Sequence, residues 1–271
     1  MRNVKKPEVR QASKPETTRI KNVFTRTTRI MGIMAAMLAL TMEVFAQNAI
    51  LPGTILPLQL NSSLNPKKSK AGQAVTARVM QDVPLRSGGR IRAGSKAIGR
   101  VLDVSEASNG MGARVSLRFD TLEVSKRRIP MTTNLRALAS MMDGDDAQIP
   151  KSGLDRGAPE DAWTTVQIGG NVVYRGGGPV ANGLEVVGTP TTNGVLVQAT
   201  SKPGTPCRGD IGSGRLQALW IFSADACGTY GFADLTIAHA GRSDPIGQIT
   251  LTAEKKNIDV RAGSGLLLRV R

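Results

Sequence analysis

From Gly53 onward, apolar residues occur in short runs that Gly, Asn, Ser or Pro interrupt every 8 to 15 residues. In "ARVSLRFD", Val115, Leu117 and Phe119 alternate with the polar residues between Arg114 and Asp120. This period of two places apolar and polar side chains on opposite faces of a strand, and no amphipathic helical period extends beyond about two turns. The sequence therefore predicts an all-β fold, either barrel-like or a sandwich of short antiparallel strands.

The C-terminal run "GLLLRVR" predicts a last strand that closes a barrel or completes a sandwich. Leu266, Leu268 and Val270 share one face, and Leu267, Arg269 and Arg271 share the other. Near the start of the β region, "TILPLQL" likewise places Leu56, Leu58 and Leu60 on one face.

One segment in the middle of the chain departs from the strand pattern. "NLRALASMM", residues 134–142, is compatible with two helical turns capped by Asn134, and a polar stretch rich in Gly, Pro and Asp follows it. We expect residues 134–162 to form a helical and loop connection between two β parts, residues 50–133 and 163–271. The two parts form either one domain or two.

The N-terminal 46 residues have the order of a secretory signal peptide. A basic stretch precedes the apolar run "IMGIMAAMLALTM", whose 13 residues fall short of the roughly 20 that a membrane-spanning helix needs. Val44 and Ala46 supply small residues, so we expect cleavage after Ala46, export to the periplasm or beyond, and no membrane span in the mature chain. An uncleaved anchor is the alternative, because the basic flank is long and Glu43 departs from the usual cleavage pattern.

The chain is strongly basic, with a formal charge of +15. Residues 1–46 hold nine Lys and Arg and three acidic residues, which leaves +9 on the other 225 residues. Such a field attracts polyanions, and two basic clusters in predicted turns are the candidate contacts. These are Lys67, Lys68, Lys70, Lys126, Arg127 and Arg128. The alternative is that both clusters are ordinary solvated turns.

Nucleic acid is the polyanion that the sequence favours least. Proteins that bind single strands stack bases on aromatic side chains, and the whole chain has only nine Phe, Trp and Tyr residues. Export would also separate the protein from nucleic acid. An envelope protein or an anionic envelope polymer is the expected partner, and the oligomeric state is left open.

Residues 53–131 resemble the C-terminal β-barrel domain of the TrbI-like scaffold proteins of conjugation and type IV secretion channels. The resemblance is carried by a strand opening at Gly53-Thr54, a corner at Gly94-Ser95, a strand that restarts at Gly99, and the basic residue Arg118. The family's Pro-Gly turn is replaced by Lys126-Arg127-Arg128, and the family's long proline-rich linker has no counterpart before the first strand. The resemblance implies a barrel-like scaffold domain of the cell envelope.

Gly94 is expected to be structural. The stretch "RIRAGSKAIGRV" reads as two strands that meet at Ala93-Gly94-Ser95, and a positive φ angle at the corner would require glycine.

No catalytic set or cofactor motif is recognisable in the sequence. His239 is the sole histidine, with Asp234 and Ser223 nearby in the chain, but spacing alone does not make a triad. One histidine and two cysteines do not complete a usual zinc site, so no metal or cofactor is expected. The sequence therefore predicts a non-catalytic envelope scaffold or binding module. The alternative is an exported hydrolase with a carboxylate pair from Asp143, Asp145, Asp146, Glu160 and Asp161.

The two cysteines, Cys207 and Cys227, are expected to form a disulfide. An exported protein matures in an oxidising compartment, where an even pair without competitors closes. The 19 residues between them include a glycine-rich turn and the predicted strand "ALWIF", so the chain can reverse and return. Two buried free thiols are the alternative.

Overall fold

A computed structural model describes residues 50–108, 110–151, 164–170, 172–174, 178–201, 206–207, 214–239 and 246–271. They belong to one compact unit, Ala49–Arg271. The predicted signal peptide, its cleavage site and residues 152–162 of the predicted connection lie outside the described residues. None of the described helices is long and apolar enough to cross a bilayer.

The described elements are almost all strands. In chain order they are β1 (Ile55–Leu60), β2 (Ala74–Val79), β3 (Val83–Pro84), β4 (Arg90–Ile91), β5 (Lys96–Ser105), β6 (Ala113–Val124), β7 (Arg127–Pro130), β8 (Thr133–Ala139), α1 (Met141–Asp146), β9 (Thr164–Val166), β10 (Val172–Tyr174), β11 (Val180–Asn182), β12 (Glu185–Thr191), β13 (Gly194–Gln198), β14 (Leu216–Ala218), β15 (Gly228–Tyr230), β16 (Thr236–Ala238), β17 (Ile249–Ala253) and β18 (Gly265–Val270). The predicted all-β class is confirmed.

Ten of the described strands form a nearly closed barrel sheet. Its strand order is β15, β8, β18, β1, β2, β5, β6, β17 and β16, and β7 pairs with β6 as a hairpin. The two end strands, β15 and β16, are joined by residues 231–235, and Thr229 Oγ1 donates a hydrogen bond to Leu235 O at 2.6 Å. The pairs in this sheet are antiparallel except for β15 with β8, which is parallel.

A second described sheet of six antiparallel strands follows the order β14, β13, β12, β11, β10 and β9. It approaches the barrel near β1, where Ile55 N donates to Gln217 Oε1 at 3.2 Å and Arg215 Nη2 donates to Thr54 Oγ1 at 2.9 Å. The short strands β3 and β4 form a separate hairpin. The polar side chains at the β1 contact therefore connect the two sheets directly.

The apolar residues form two cores on the two sides of one barrel wall. Leu56 of β1, Phe119 of β6 and Leu268 of β18 belong to the first core. Ile55 and Leu267, on the opposite faces of β1 and β18, belong to the second, which also contains residues of the six-stranded sheet. Since β1 and β18 face apolar surroundings on both sides, their sequences are almost continuously apolar.

The alternation predicted for β6 is confirmed. Val115, Leu117 and Phe119 are buried, whereas Arg114 and Arg118 lie on the other face and pair with carboxylates. Arg114 Nη2 lies 2.7 Å from Asp103 Oδ2.

The helix predicted over residues 134–142 is wrong for most of its length. Thr133–Ala139 is strand β8, buried at every position and paired with β18 and β15. Tertiary burial on both faces overrides the helix propensity of Leu, Arg and Ala. The helix begins only at Met141, and its N-cap is Ser140, whose Oγ accepts from Asp143 N at 3.0 Å.

Arg136 on β8 is 1% exposed and bonds to backbone carbonyls. Its Nε donates to Ala226 O at 2.9 Å, and its Nη2 donates to Thr200 O and Ala224 O. A buried guanidinium is tolerated where such acceptors replace its hydration. Arg136 therefore fixes the segment that leads to Cys227.

Candidate binding cleft

A cleft of about 720 Å³ lies among β2, the corner before β5, the end of α1 and the six-stranded sheet. Its described lining comes from residues 78–80, 93–94, 147–148, 165, 167, 173, 190–191, 193–195 and 220–221. This volume falls within the range of about 300 to 1,000 Å³ that is typical of small-ligand sites. We take it as the candidate functional site.

Gln81 fixes one wall of the cleft through four hydrogen bonds. Its Nε2 donates to Val195 O at 2.7 Å and to Thr191 Oγ1 at 3.0 Å. Its Oε1 accepts from Trp220 N at 2.7 Å and from Val195 N at 3.2 Å. Gln81 is fully buried, so its amide supplies hydrogen-bond partners for the backbone groups of Val195 and Trp220 beside it.

The backbone beside Gln81 has unusual conformations. Asn193 and Trp220 have φ angles of 66° and 51°, in the left-handed region that disfavours side chains. A Cβ atom at Gly194 would collide with Gln81 Oε1, so glycine is needed for the Gln81 side chain to enter. The cleft wall is therefore a fixed arrangement that packing enforces.

Gly94 has a φ angle of 87°, the left-handed conformation expected at a structural corner. Its amide donates to Val79 O at 2.7 Å. Asp82 supports the same corner, since its carboxylate accepts from Ala93 N at 2.9 Å and lies 3.2 Å from Arg90 Nε. The structure adds that Ala93 and Gly94 line the cleft, so the corner is also part of a binding surface.

The cleft is nearly uncharged. Arg78 is the only charged side chain in its described lining, and its Nε and Nη2 donate to Gln59 Oε1 at 3.2 and 2.5 Å. The other described polar lining residues are neutral: Gln148, Thr165, Gln167, Thr191 and Asn193. A carboxylate pair for general acid and base catalysis is therefore absent from the described lining.

Three of the carboxylates considered for a hydrolase, Asp143, Asp145 and Asp146, lie on the short helix α1. Asp143 lies at the start of α1 beside Gly231, and Asp145 is exposed. Asp146 pairs with Lys151, whose Nζ lies 2.6 Å from Asp146 Oδ2. Glu160 and Asp161 lie outside the described residues.

Asp234 and Ser223, the residues considered as partners of His239, make hydrogen bonds to other groups. Both carboxylate oxygens of Asp234 accept backbone amides, from Lys255 at 2.7 Å, Lys256 at 3.0 Å and Glu254 at 3.2 Å. These hydrogen bonds, that of Lys255 foremost, hold the pKa of Asp234 below its ordinary value.

Ser223 is likewise engaged elsewhere. It is fully buried, and its Oγ donates to Asp225 Oδ1 at 2.9 Å. Within the part of the chain that the structure describes, no group of three or more His, Cys, Asp or Glu residues could hold a metal ion.

The two basic clusters lie in different places. Lys67, Lys68 and Lys70 are exposed in the loop before β2. This loop lies near the level of Val101 on β5, whose carbonyl oxygen accepts a hydrogen bond from Gly72 N at 2.9 Å. The cluster of residues 126–128 lies at the opposite end of β5, where Arg128 pairs with Glu123 and Glu123 pairs with Lys96. Five residue steps along β5, from Val101 to Lys96, separate the two levels by roughly 17 Å.

The second cluster is only partly a turn. Ser125 and Lys126 form the two-residue connection, with φ angles of 49° and 68°. Arg127 and Arg128 already belong to β7, and Arg128 Nε lies 3.9 Å from Glu123 Oε2. The turn predicted over residues 126–128 is therefore too long by two residues.

Cys207 and Cys227 lie at disulfide distance, with their Cα atoms 5.9 Å apart. Cys207 is fully buried, and the pair packs beside the first core. Arg136 bonds to Ala226, the residue before Cys227. The cross-link and the buried arginine therefore hold the same segment against β8.

Sequence reasoning missed the residues that build the cleft. Gln81 and Gln167 are 0% and 3% exposed, although glutamine in a polar context normally predicts solvent exposure. For Trp220, the apolar run "ALWIF" predicts a strand and gives no sign of a cleft. The one sequence signal for this part of the cleft is Asn193 in "TPTTNG", since Asn-Gly predicts a tight turn with a positive φ angle.

No protein-family model matches the chain, and neither a curated protein nor a solved structure matches it significantly.

Proposed function

We propose that the protein is an exported, non-catalytic binding module of the cell envelope that engages an anionic wall polymer. The single observation behind this proposal is the cleft, which has a fixed wall and neutral hydrogen-bonding groups but no carboxylate in its described lining. Uncharged segments of the polymer enter the cleft, while the exposed basic clusters attract its charged groups.

The barrel part supports a scaffold or docking role over a hydrolytic one. Strand β1 opens directly after Gly53-Thr54, and the Gly94-Ser95 corner precedes β5, where the resemblance to TrbI-like barrel domains expects these features. Gly99 lies within β5 at a register shift, and a Cβ atom there would collide with Arg118 O. We propose the relationship to that family on these positions.

Co-sedimentation with purified insoluble cell-wall polymer tests the binding function. We expect the protein to sediment with the polymer, and Ala93→Trp to reduce the bound fraction because Ala93 lines the cleft. Ala74→Trp is the matched control, since Ala74 is exposed on β2 and is not part of the lining. Absence of sedimentation, or equal loss in the two variants, would overturn the proposal.

Export is tested separately by mass spectrometry of the protein recovered from outside the cytoplasm. The expected N-terminus is Gln47, which follows cleavage after Ala46. A recovered chain that begins at Met1 or Met31 would contradict this part of the proposal.

A further inference from the structure

The side chain of Gln167 is only half satisfied at a buried position in the cleft. Gln167 is 3% exposed, and its Nε2 donates to Trp220 O at 3.2 Å. Its Oε1 is buried and has no hydrogen-bond partner. Because buried acceptors in folded proteins almost always find a donor, this oxygen marks a position where a donor is expected.

Thr165 lies beside Gln167 and faces the same way. The two residues are two positions apart in an extended segment, which places their side chains on one face of β9 and its continuation. Both line the cleft, and Thr165 is 4% exposed. The pair offers the ligand a carbonyl acceptor and a rotatable hydroxyl.

The surroundings restrict the ligand group to an uncharged one. A carboxylate or phosphate would place acceptor oxygens against Gln167 Oε1, which repels them. An ammonium group would be buried without a counter-charge, since the described lining holds no acid. A neutral group with one donor and one acceptor fits this pair best.

We propose that Gln167 and Thr165 form a subsite for a secondary amide. The ligand N–H donates to Gln167 Oε1, and the ligand carbonyl accepts from the Thr165 hydroxyl. This inference rests on the proposed function and specifies which chemical group of the polymer the cleft binds. Secondary amides occur in acetamido sugars and in short peptides, and the experiment separates these two sources.

The experiment is an NMR titration of the isotope-labelled protein with two pairs of small probes. N-acetylglucosamine is compared with glucose, which lacks the acetamide. N-acetylalanine methylamide is compared with methyl O-acetyl-lactate, in which ester oxygens replace both N–H groups. We expect at least one amide probe to shift the resonances of lining residues and to bind about fivefold tighter than its analogue.

Gln167→Met removes the acceptor, so the affinity of the amide probe divided by that of its analogue should fall close to one. Gln73→Met is the matched control on an exposed glutamine outside the cleft, and it should keep the wild-type ratio. If Gln167→Met does not fold, the affinity ratio of amide probe to analogue in the wild-type protein tests the subsite by itself, because that comparison changes only the ligand.

Equal binding of amide and analogue in both pairs, or no shift in the lining residues with any probe, would overturn the subsite. Polymer binding that remains sensitive to Ala93→Trp would then leave the proposed function standing. Conversely, amide binding without polymer binding would support the subsite and overturn the proposed polymer. A preference confined to the sugar or the peptide pair identifies the source of the amide.

Discussion

The side-chain carbonyl of Gln81 accepts a hydrogen bond of 2.7 Å from the backbone amide of Trp220, 139 positions away in the chain. This contact connects the end of β2 with the segment after β14. It positions the wall of the cleft through hydrogen bonds to a distant part of the chain.

Gln81→Leu is expected to destabilise the protein by about 3 kcal/mol, because it leaves the amides of Val195 and Trp220 without their buried acceptor. Urea unfolding followed by circular dichroism measures the change. Gln73→Leu serves as the control, since Gln73 is exposed and should change stability by less than about 0.5 kcal/mol. Similar stabilities of the two variants would show that the Gln81 bonds contribute little.

Gly94→Val is expected to cost about 1 to 2 kcal/mol, because a β-branched residue disfavours the φ angle of 87°. A Cβ atom at Gly94 meets no atom within 4 Å, so the cost reflects backbone strain alone. Gly89 is the matched control, since it also has open space around it and has no positive φ angle. A fully stable Gly94→Val protein that lost only ligand binding would reverse the structural interpretation of Gly94.

Removal of the disulfide through Cys207→Ala and Cys227→Ala is expected to lower the free energy of unfolding by about 3 kcal/mol. The bond closes a loop with a sequence separation of 20, which restricts the unfolded chain. Urea unfolding with and without reductant measures the effect, and reductant should leave the double variant unchanged. Two reactive thiols per chain in the unfolded, unreduced protein would contradict the bond.

Neutralising either basic cluster is expected to weaken polyanion binding independently of the other. The clusters lie at levels roughly 17 Å apart along β5, beyond the screening length of about 8 Å at physiological ionic strength. Triple alanine variants of residues 67, 68 and 70, and of residues 126–128, are compared with the combined variant by titration with polyphosphate. The losses should add, and binding should fall as salt rises; salt-insensitive binding would point to a shaped pocket.

Asp120 is expected to make stability depend on pH at the acid end. Partial burial raises its pKa, but hydrogen bonds from Arg100 and Thr121 and the charges of Arg100 and Arg118 outweigh this and hold the pKa below its ordinary value. A depressed folded-state pKa contributes stability above the unfolded value, and that contribution is lost as pH falls through the folded value.

Asp120→Asn should therefore cost up to about 1 kcal/mol at neutral pH, the scale of exposed ion pairs, and progressively less below the unfolded pKa. Urea midpoints at a series of pH values measure this difference. Asp259→Asn is the control, because Asp259 pairs with a single arginine at 3.4 Å. A cost for Asp120→Asn that does not change with pH would contradict the role of its charge.

The alternating strands were predictable from the sequence, whereas the doubly buried strand β8 was not. On β6 the solvent face is polar, so apolar and polar residues alternate with a period of two in the sequence. On β8 both faces are buried, and the run "NLRALA" contains residues that favour helices in isolation. Only its pairing with β18 and β15, which no local pattern contains, makes that run a strand.

The cleft could not be predicted because its key residues act against their usual preferences. Gln81 and Gln167 are buried by partners more than 50 positions away in the chain, such as the backbone of Trp220. No short-range spacing encodes such contacts. The disulfide partners, by contrast, followed from composition, because two cysteines allow only one pairing.

The pairing of β1 with β18 also governs how the chain can fold. Strand β18 lies between β1 and β8, so its pairing joins the first strand of the barrel to the last. More than 200 residues separate Leu56 from its partner Leu268, and such non-local pairing slows folding. The barrel wall therefore cannot be completed until the segment that forms β18 has been synthesised and is free to pair with β1.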